Sequence, residues 1–394
     1  MRAKRRTESP YVIKVNSARD WLWRERSPLL GSLDLELTER CNNNCIHCNI
    51  NLPLADDGAR QRELSPIAIK EILSEAAALG ALSVRFTGGE PLLREDFADL
   101  YLHARRRGLK VLLFTNARLI TPELADLFTR VPPLEKIEVT VYGLKRESYE
   151  AVSRAPGSFE EFRRGVGLLM ARNLPFTVKW AILPPNRAET ESFKTWAAAL
   201  PAMDQPPSYS MFFHLRGRRD DWTKNRLIQS LRLKPENGAA LLRGEGEAYV
   251  KEMGEFCRKF IGPPGDRLFA CGAGRRVCVD AYGVLQSCLL LRHPETVYEL
   301  KTGSLKEALI NFFPRLREET KASNPEYLAR CARCFLKGLC EQCPAISWAE
   351  HGNLDTPVDY FCQVAHAQAE NLGLLRAGEC AWEIENWEER IARL

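Results

Sequence analysis

CNNNCIHC, residues 41–48, directly follows SLDLELTER, residues 32–40, in which Leu33, Leu35 and Leu37 alternate with Asp34, Glu36 and Thr38. That alternation predicts a strand with one apolar face, with the cysteines in the loop that leaves it. Three thiolates so close in sequence can hold an iron–sulfur cluster or a metal ion. Cubane clusters normally take four cysteines, so Cys41, Cys45 and Cys48 imply an iron with a ligand position left open. A zinc site completed by His47 or a distant residue is the competing reading. It is the weaker one, because zinc sites are usually built from C-x2-C pairs and the first gap here is three residues.

The composition sets the background. A chain of 394 residues, 45% hydrophobic and 27% charged, is globular and long enough for two or three domains. No run of about eighteen apolar residues occurs and the first residues, MRAKRRTESPYV, lack a secretory apolar stretch, so we expect a cytoplasmic protein that does not enter a membrane. The net charge of +5 is modest, and the basic clusters at 2–6, 105–107 and 216–219 read as solvated surface, not as a nucleic-acid footprint. In a reducing compartment, clustered cysteines point to metal binding or catalysis and away from disulfides. Of thirteen, three lie at 41–48 and the other ten begin at Cys257, which suggests two cysteine-bearing modules joined by an ordinary scaffold.

Working outward from the cysteine loop, Ser65-Pro66 opens a helix that stops at Gly80, and Leu82–Phe86 is a short buried-type strand. The alternation repeats with a helix near 95–107, strand 110–115, a helix opened by Thr121-Pro122, strand 136–142, a helix opened by a capping box at Ser158 and Glu161, strand 176–183, a helix near 188–200 and strand 209–215. Six such alternations predict a parallel α/β sheet, closed or partly closed. In these folds the functional loops lie at the carboxyl ends of strands, where both the cysteine loop and Thr87-Gly88-Gly89-Glu90 fall. Gly88 and Gly89 permit close backbone approach, and Glu90 adds an acceptor, a combination suited to a ligand ammonium group.

CNNNCIHC followed by FTGGEPLL resembles the radical S-adenosylmethionine (radical SAM) superfamily. The resemblance implies an α/β fold, a partial (β/α)6 TIM-like barrel. It implies that Cys41, Cys45 and Cys48 hold a [4Fe-4S] cluster whose open iron is chelated by SAM, and that Gly88, Gly89 and Glu90 contact the methionyl group. His47 occupies the position where that family usually has an aromatic beside the adenine. Asn116, Thr140 and Arg154 are candidates for the ribose and carboxylate of SAM, although Thr140 and Arg154 also fit a plain strand residue and a surface ion-pair partner.

Beyond Gly262-Pro263-Pro264-Gly265 the composition turns cysteine-rich, with a hairpin turn at Asp280–Gly283. The order Cys271, Gly283, Cys288, Cys331-x2-Cys334-x5-Cys340-x2-Cys343, Cys362 resembles the SPASM domain, a C-terminal α+β extension with two auxiliary [4Fe-4S] clusters. It departs in its last short gap, typically three residues and here two. Carried over, Cys331, Cys334, Cys340 and Cys362 would hold the distal cluster. Cys271, Cys288 and Cys343 would hold the proximal one, with Cys278 or Cys257 as fourth ligand. A thiol left over, Cys257 or Cys380, could donate a hydrogen atom to a substrate radical or be a buried small hydrophobe. The expected organisation is an N-terminal extension 1–30, the barrel 31–218, a helical connector 219–262, the SPASM domain 263–375 and a tail 376–394.

The leading expectation is a radical SAM enzyme that abstracts hydrogen from a peptide or protein. The alternatives are radical modification of a tetrapyrrole or other small cofactor precursor, and an iron–sulfur electron-transfer or structural protein without SAM chemistry. Leu289-Leu290-Leu291 after Cys288 disfavours sulfatase maturation, which in that family uses an aspartate there. About thirty residues before the first strand are too few for a fused winged-helix recognition domain, so a precursor-peptide substrate implies a separate recognition protein. The chemistry also implies an electron donor such as flavodoxin or ferredoxin.

Overall fold

The computed structural model describes residues 29–201, 203, 207–244, 246–260, 265–269, 276–340 and 343–393. Cys271, most of the expected N-terminal extension and the 262–264 part of the expected boundary lie outside them. The chain divides into two compact units, one drawn from Met1–Ser210, Gly274–Leu289 and Tyr298–Ile310, the other from Met211–Ala273, Leu290–Val297 and Asn311–Leu394.

The first unit is built on one sheet. Its strands are β1 (Ser32–Thr38), β2 (Ser83–Gly88), β3 (Lys110–Thr115), β4 (Leu134–Val141), β5 (Phe176–Ala181), β6 (Ser208–Ser210), β7 (Arg276–Val279), β8 (Val284–Gln286) and β9 (Val297–Glu299), in the order β9-β8-β7-β1-β2-β3-β4-β5-β6. From β7 through β6 every neighbouring pair is parallel, and β8 returns antiparallel to β7. Helices α1 (Pro66–Ala78), α2 (Phe97–Arg106), α3 (Pro122–Arg130), α4 (Arg146–Ser153), α5 (Ser158–Ala171) and α6 (Thr190–Ala198) make the crossovers. Ser65 and Thr121 cap α1 and α3 by accepting from Ala68 N and Leu124 N, with proline in the first turn of each, as the sequence implies.

Side-chain alternation gives the sheet two unlike faces. Leu33, Leu35, Leu37, Val84, Phe86, Val111, Leu113, Ile137, Val139, Val178 and Trp180 are all fully buried on one of them. At about 1.5–3 kcal/mol per buried large side chain, this face is the main source of the unit's stability. Asp34, Glu36, Thr38, Arg85, Glu138, Thr140 and Lys179 fall on the other. A parallel sheet covered by helices on both faces reads as continuous apolar runs; this one alternates, so its second face is a polar surface able to line a site.

Four features differ from the sequence expectation. The capping box at Ser158 and Glu161 does not form: the N-cap of α5 is Gly157, without a side-chain cap bond, and the Glu161 carboxylate is drawn instead to Arg118. Helix α4 lies between β4 and α5, where none was expected, and β6 is three residues long where seven were expected. The β7–β8 hairpin, grouped on composition with the C-terminal cysteines, extends the main sheet: Leu33 to Leu35 pair with Val277 to Val279.

The second unit is helical, with α7 (Thr223–Ser230), α8 (Pro235–Arg243), α9 (Glu247–Phe260), α10 (Pro325–Ala329), α11 (Lys337–Cys340), α12 (Pro344–His351), α13 (Asp359–Asn371) and α14 (Trp387–Ala392) among its elements. Its core joins Tyr249 and Cys257 of α9 to Phe335, Leu336, Leu339, Ala365, Ala369 and Leu374, with Trp382, Ile384, Trp387 and Ile391 packed against it. The segment expected as a C-terminal tail is therefore part of this core.

Candidate active site

The cysteine loop begins where β1 stops. Arg40 and Cys41 pair with Leu52 and Pro53, and Leu52 N donates to Glu39 O at 2.8 Å, which pinches residues 41–52 into a closed loop. Its base is held by a buried ionic network. Arg40 grips both Glu63 oxygens, Nε to Oε1 at 2.8 Å and Nη2 to Oε2 at 3.1 Å, while Thr38 Oγ1 donates to Oε1 at 2.5 Å. Arg94 stands 3.8 Å from the same carboxylate and donates to Leu37 O and Leu64 O.

Within the loop, Asn44 N donates to Ser153 O at 2.8 Å and Ile46 N to Val152 O at 3.1 Å. Those carbonyls end α4 and have no intrahelical partner, so the loop satisfies them. Asn43 N donates to Cys41 Sγ at 3.4 Å. The Tyr142 hydroxyl hydrogen-bonds the Cys45 sulfur. Burial pushes the Cys45 thiol up to about 12, and burial together with Cys45 and Glu90 raises Cys41 well above the usual thiol range. Thiols crowded this way stay protonated unless a cationic centre compensates, so the donor set fits an iron–sulfur cluster. Among the described residues no three His, Cys, Asp or Glu side chains close around a single metal ion; a cluster, with each thiolate on its own iron, asks for wider spacing.

The glycine-glycine-glutamate turn lies against this loop. Gly89 N donates to Thr38 O at 2.7 Å and Glu90 N to Arg40 O at 2.9 Å. A β-carbon on Gly88, whose φ is 122°, would stand 2.1 Å from Thr38 O, and one on Gly89 would stand 2.1 Å from Arg40 O. The chain's own backbone thus occupies the space the glycines free. The Glu90 carboxylate, fully buried, accepts from Leu92 N at 3.1 Å, Thr115 Oγ1 at 2.9 Å and Asn116 N at 2.8 Å. Burial outweighs these donors and pushes Glu90 up to about 7.

Asn116, at the carboxyl end of β3, donates from Nδ2 to Asn42 Oδ1 at 2.7 Å, with Cys41 Sγ at 3.9 Å. Half-buried His47 packs on Tyr142 with ring centroids 5.8 Å apart, and burial with the charge of Lys179 pushes it down to about 4, so it is neutral at physiological pH. Cys41, Cys45, Cys48, His47, Gly88, Gly89, Glu90 and Asn116 thus gather at the carboxyl ends of β1 to β4. Thr140, half-buried, is on the polar face of β4 in register with Lys179. Arg154 is exposed with φ 51° at the end of α4, next to the carbonyl that anchors the loop.

Sequence reasoning missed Arg118, Glu161 and Tyr142. Arg118, buried, donates to Asn42 O and Asn43 Oδ1 and pairs with Glu161 at 2.6 Å. A lone arginine has no spacing signal, and the only cue was its position three residues past the end of a strand.

In the second unit, Cys331, Cys334, Cys340 and Cys362 line one pocket with Arg330, His366 and Trp382. Cys257 is fully buried in the apolar core beside this pocket, and Cys380 is half-buried before the turn Ala381–Glu383. In the first unit, Cys278 is fully buried on β7 opposite Asp34, and Cys288 follows β8.

Residues 35–196 match the family profile described as the radical SAM superfamily. Residues 35–196 form a radical SAM domain. This radical SAM chain is 28% identical over 353 residues to the mycofactocin maturase MftC of Mycobacterium tuberculosis, covering 85% of this chain and 83% of that one. It is 29% identical over 186 residues to the AdoMet-dependent heme synthase of Methanosarcina barkeri, covering 47% of this chain. The chain spans about half the length of that haem synthase, 51%. The solved structure of anSMEcpe with bound AdoMet and Cp18Cys peptide has the same fold, with TM-score 0.59 at 14% identity over 93% of this chain and 100% of that one. Among the described residues no helix is long and apolar enough to cross a membrane.

Proposed function

We propose that this radical SAM enzyme reductively cleaves SAM and abstracts hydrogen from a peptide or protein. The observation that carries the first half is the placement of Cys41, Cys45 and Cys48 beside Glu90 and Asn116 on one rim of the sheet. A [4Fe-4S] cluster on the three thiolates would supply the electron that cleaves SAM to methionine and a 5′-deoxyadenosyl radical. The protein's part is to hold and shield. Arg40–Glu63 and Arg118–Glu161 fix the loop, and Tyr142 orients Cys45. The backbone at Gly88–Gly89 and the end of β3 at Asn116 form the rim against which SAM would lie, with neutral His47 beside it. Thr140 and Arg154 are assigned to the ribose and carboxylate.

The similarity to MftC covers 85% of this chain, whereas that to the haem synthase covers 47%, which favours a maturase-type substrate over a tetrapyrrole. The pocket lined by Cys331, Cys334, Cys340 and Cys362 supports one auxiliary cluster. Cys271, Cys288 and Cys343, with Cys278, are assigned to a second. Cys257, buried in apolar core, suits packing better than ligation or hydrogen donation. A flavodoxin- or ferredoxin-class donor and a separate recognition protein complete the system.

The test is anaerobic reconstitution. About twelve irons per chain are expected from three cubanes. SAM with reductant should yield 5′-deoxyadenosine, abolished in Cys45→Ala, and a candidate precursor peptide should gain a mass change only with SAM present. Turnover of a tetrapyrrole precursor in place of peptide would establish the alternative.

A further inference from the structure

Arg330 sits at the end of α10 on the wall of the four-cysteine pocket. Its Nη2 donates to Cys362 Sγ at 3.5 Å and to Asp359 Oδ1 at 2.9 Å, and its Nη1 to Glu326 Oε1 at 2.6 Å. Its guanidinium carbon lies 5.0 Å from the centroid of the Trp382 ring. Its Nε is buried and has no acceptor among the described residues. A buried N–H without a partner is rare in folded proteins. The pocket that Arg330 lines also carries the four cysteines.

We propose that Arg330 is the positioning residue that sets the reduction potential of the cluster held by Cys331, Cys334, Cys340 and Cys362, donating N–H···S hydrogen bonds while Trp382 screens that face from water. The inference rests on the reading of these four thiols as cluster ligands. Reduction by an external one-electron donor adds a negative charge to the cluster. A guanidinium beside Cys362 stabilises the reduced form more than the oxidised one and so raises the potential. Asp359 and Glu326 do not cancel this: their side chains are 69% and 52% exposed, against 23% for Arg330, so solvent screens them while the guanidinium faces the thiols. Arginine suits the role because its fork reaches several acceptors and it stacks on an indole face.

The experiment is a redox titration, followed by electron paramagnetic resonance, of the full chain carrying Cys41→Ala, Cys45→Ala and Cys48→Ala, which silences the loop cluster. The signal lost in an added Cys334→Ala marks the cluster in question, and if Cys334→Ala changes neither iron content nor signal, the cluster reading itself fails. With the cluster present, Arg330→Gln should lower its midpoint by at least a tenfold change in the reduced-to-oxidised ratio, about 59 mV for one electron. Arg330→Lys, which keeps the charge but loses Nε–H, should fall between. Trp382→Ala should move the midpoint upward by admitting water. If Arg330→Gln fails to assemble, Arg330→Lys carries the test by the same criterion. An assembled cluster with an unshifted midpoint in the Arg330 variants overturns the proposal.

Discussion

The Glu90 carboxylate accepts the backbone N–H of Asn116 at 2.8 Å, across 26 residues of sequence. The bond ties the glycine-glycine-glutamate turn to the end of β3, and so fixes the strand ends around the cysteine loop as one rigid rim. A functional site held on strand ends in this way keeps its geometry better than one carried on free loops.

Glu90→Gln should lower stability by about 1–3 kcal/mol, because an amide cannot accept from all three of the buried donors that converge on the carboxylate. The pH dependence has a defined sign. Glu90 is raised from 4.5 to about 7, so its contribution is present at low pH and is lost progressively as pH rises from about 4.5 to about 7. In cluster-free protein, stability of the wild type should carry this downward component of about 1.4 kcal/mol per pH unit, levelling off above pH 7. Denaturant unfolding at pH 5.5, 6.5 and 7.5 measures it; an equal slope in Glu90→Gln would refute the assignment.

Glu63→Ala should cost about 3–5 kcal/mol, since it strands the buried Arg40 and leaves Arg94 and Thr38 without the same acceptor. Thermal unfolding of the cluster-free protein is the measurement. A loss below 1 kcal/mol would mean that the network is not the base on which the loop rests.

Gly89→Ala tests close backbone approach. The added methyl meets the Arg40 and Glu39 carbonyls, so the segment leading into Cys41 must shift, at a cost of about 1–3 kcal/mol. Iron bound at the loop and 5′-deoxyadenosine yield should both fall, whereas Gly167→Ala, within α5 and meeting nothing within 4 Å, should leave them unchanged.

Tyr142→Phe removes the hydroxyl that bonds the Cys45 sulfur while keeping the aromatic contacts with His47 and Tyr149. Stability should change by no more than about 1 kcal/mol. The midpoint of the loop cluster should drop, because fewer hydrogen bonds to sulfur stabilise the reduced form less. An unchanged midpoint in a fully loaded variant would remove Tyr142 from the site.

What was legible in the sequence is local. Leu33, Leu35 and Leu37 announce β1 because a strand's period of two needs no partner to be seen, and Ser65-Pro66 and Thr121-Pro122 mark helix starts because capping is settled within four residues. Cys41, Cys45, Cys48 and the turn at Gly88–Glu90 were visible because each group is contiguous.

Elsewhere local rules lost to distant partners. Ser158 and Glu161 have capping-box spacing, yet a buried guanidinium 43 residues away outcompetes a helix N–H for that carboxylate, since a bond between two charged partners outweighs one exposed cap. The same holds for Glu90, whose acceptor capacity was evident from its residue type while the donors it serves, Thr115 and Asn116, could be known only once β2 and β3 were side by side. The joining of Val277–Val279 to β1 is the longest-range case, because which strand fills the edge of a sheet depends on the surfaces that meet and not on any motif within either strand. The chemistry of three thiolates and a vacant iron is thus written in residue types and spacing; the hydrogen bonds that hold those thiolates at one rim come from strand pairing, which burial of the apolar sheet face drives.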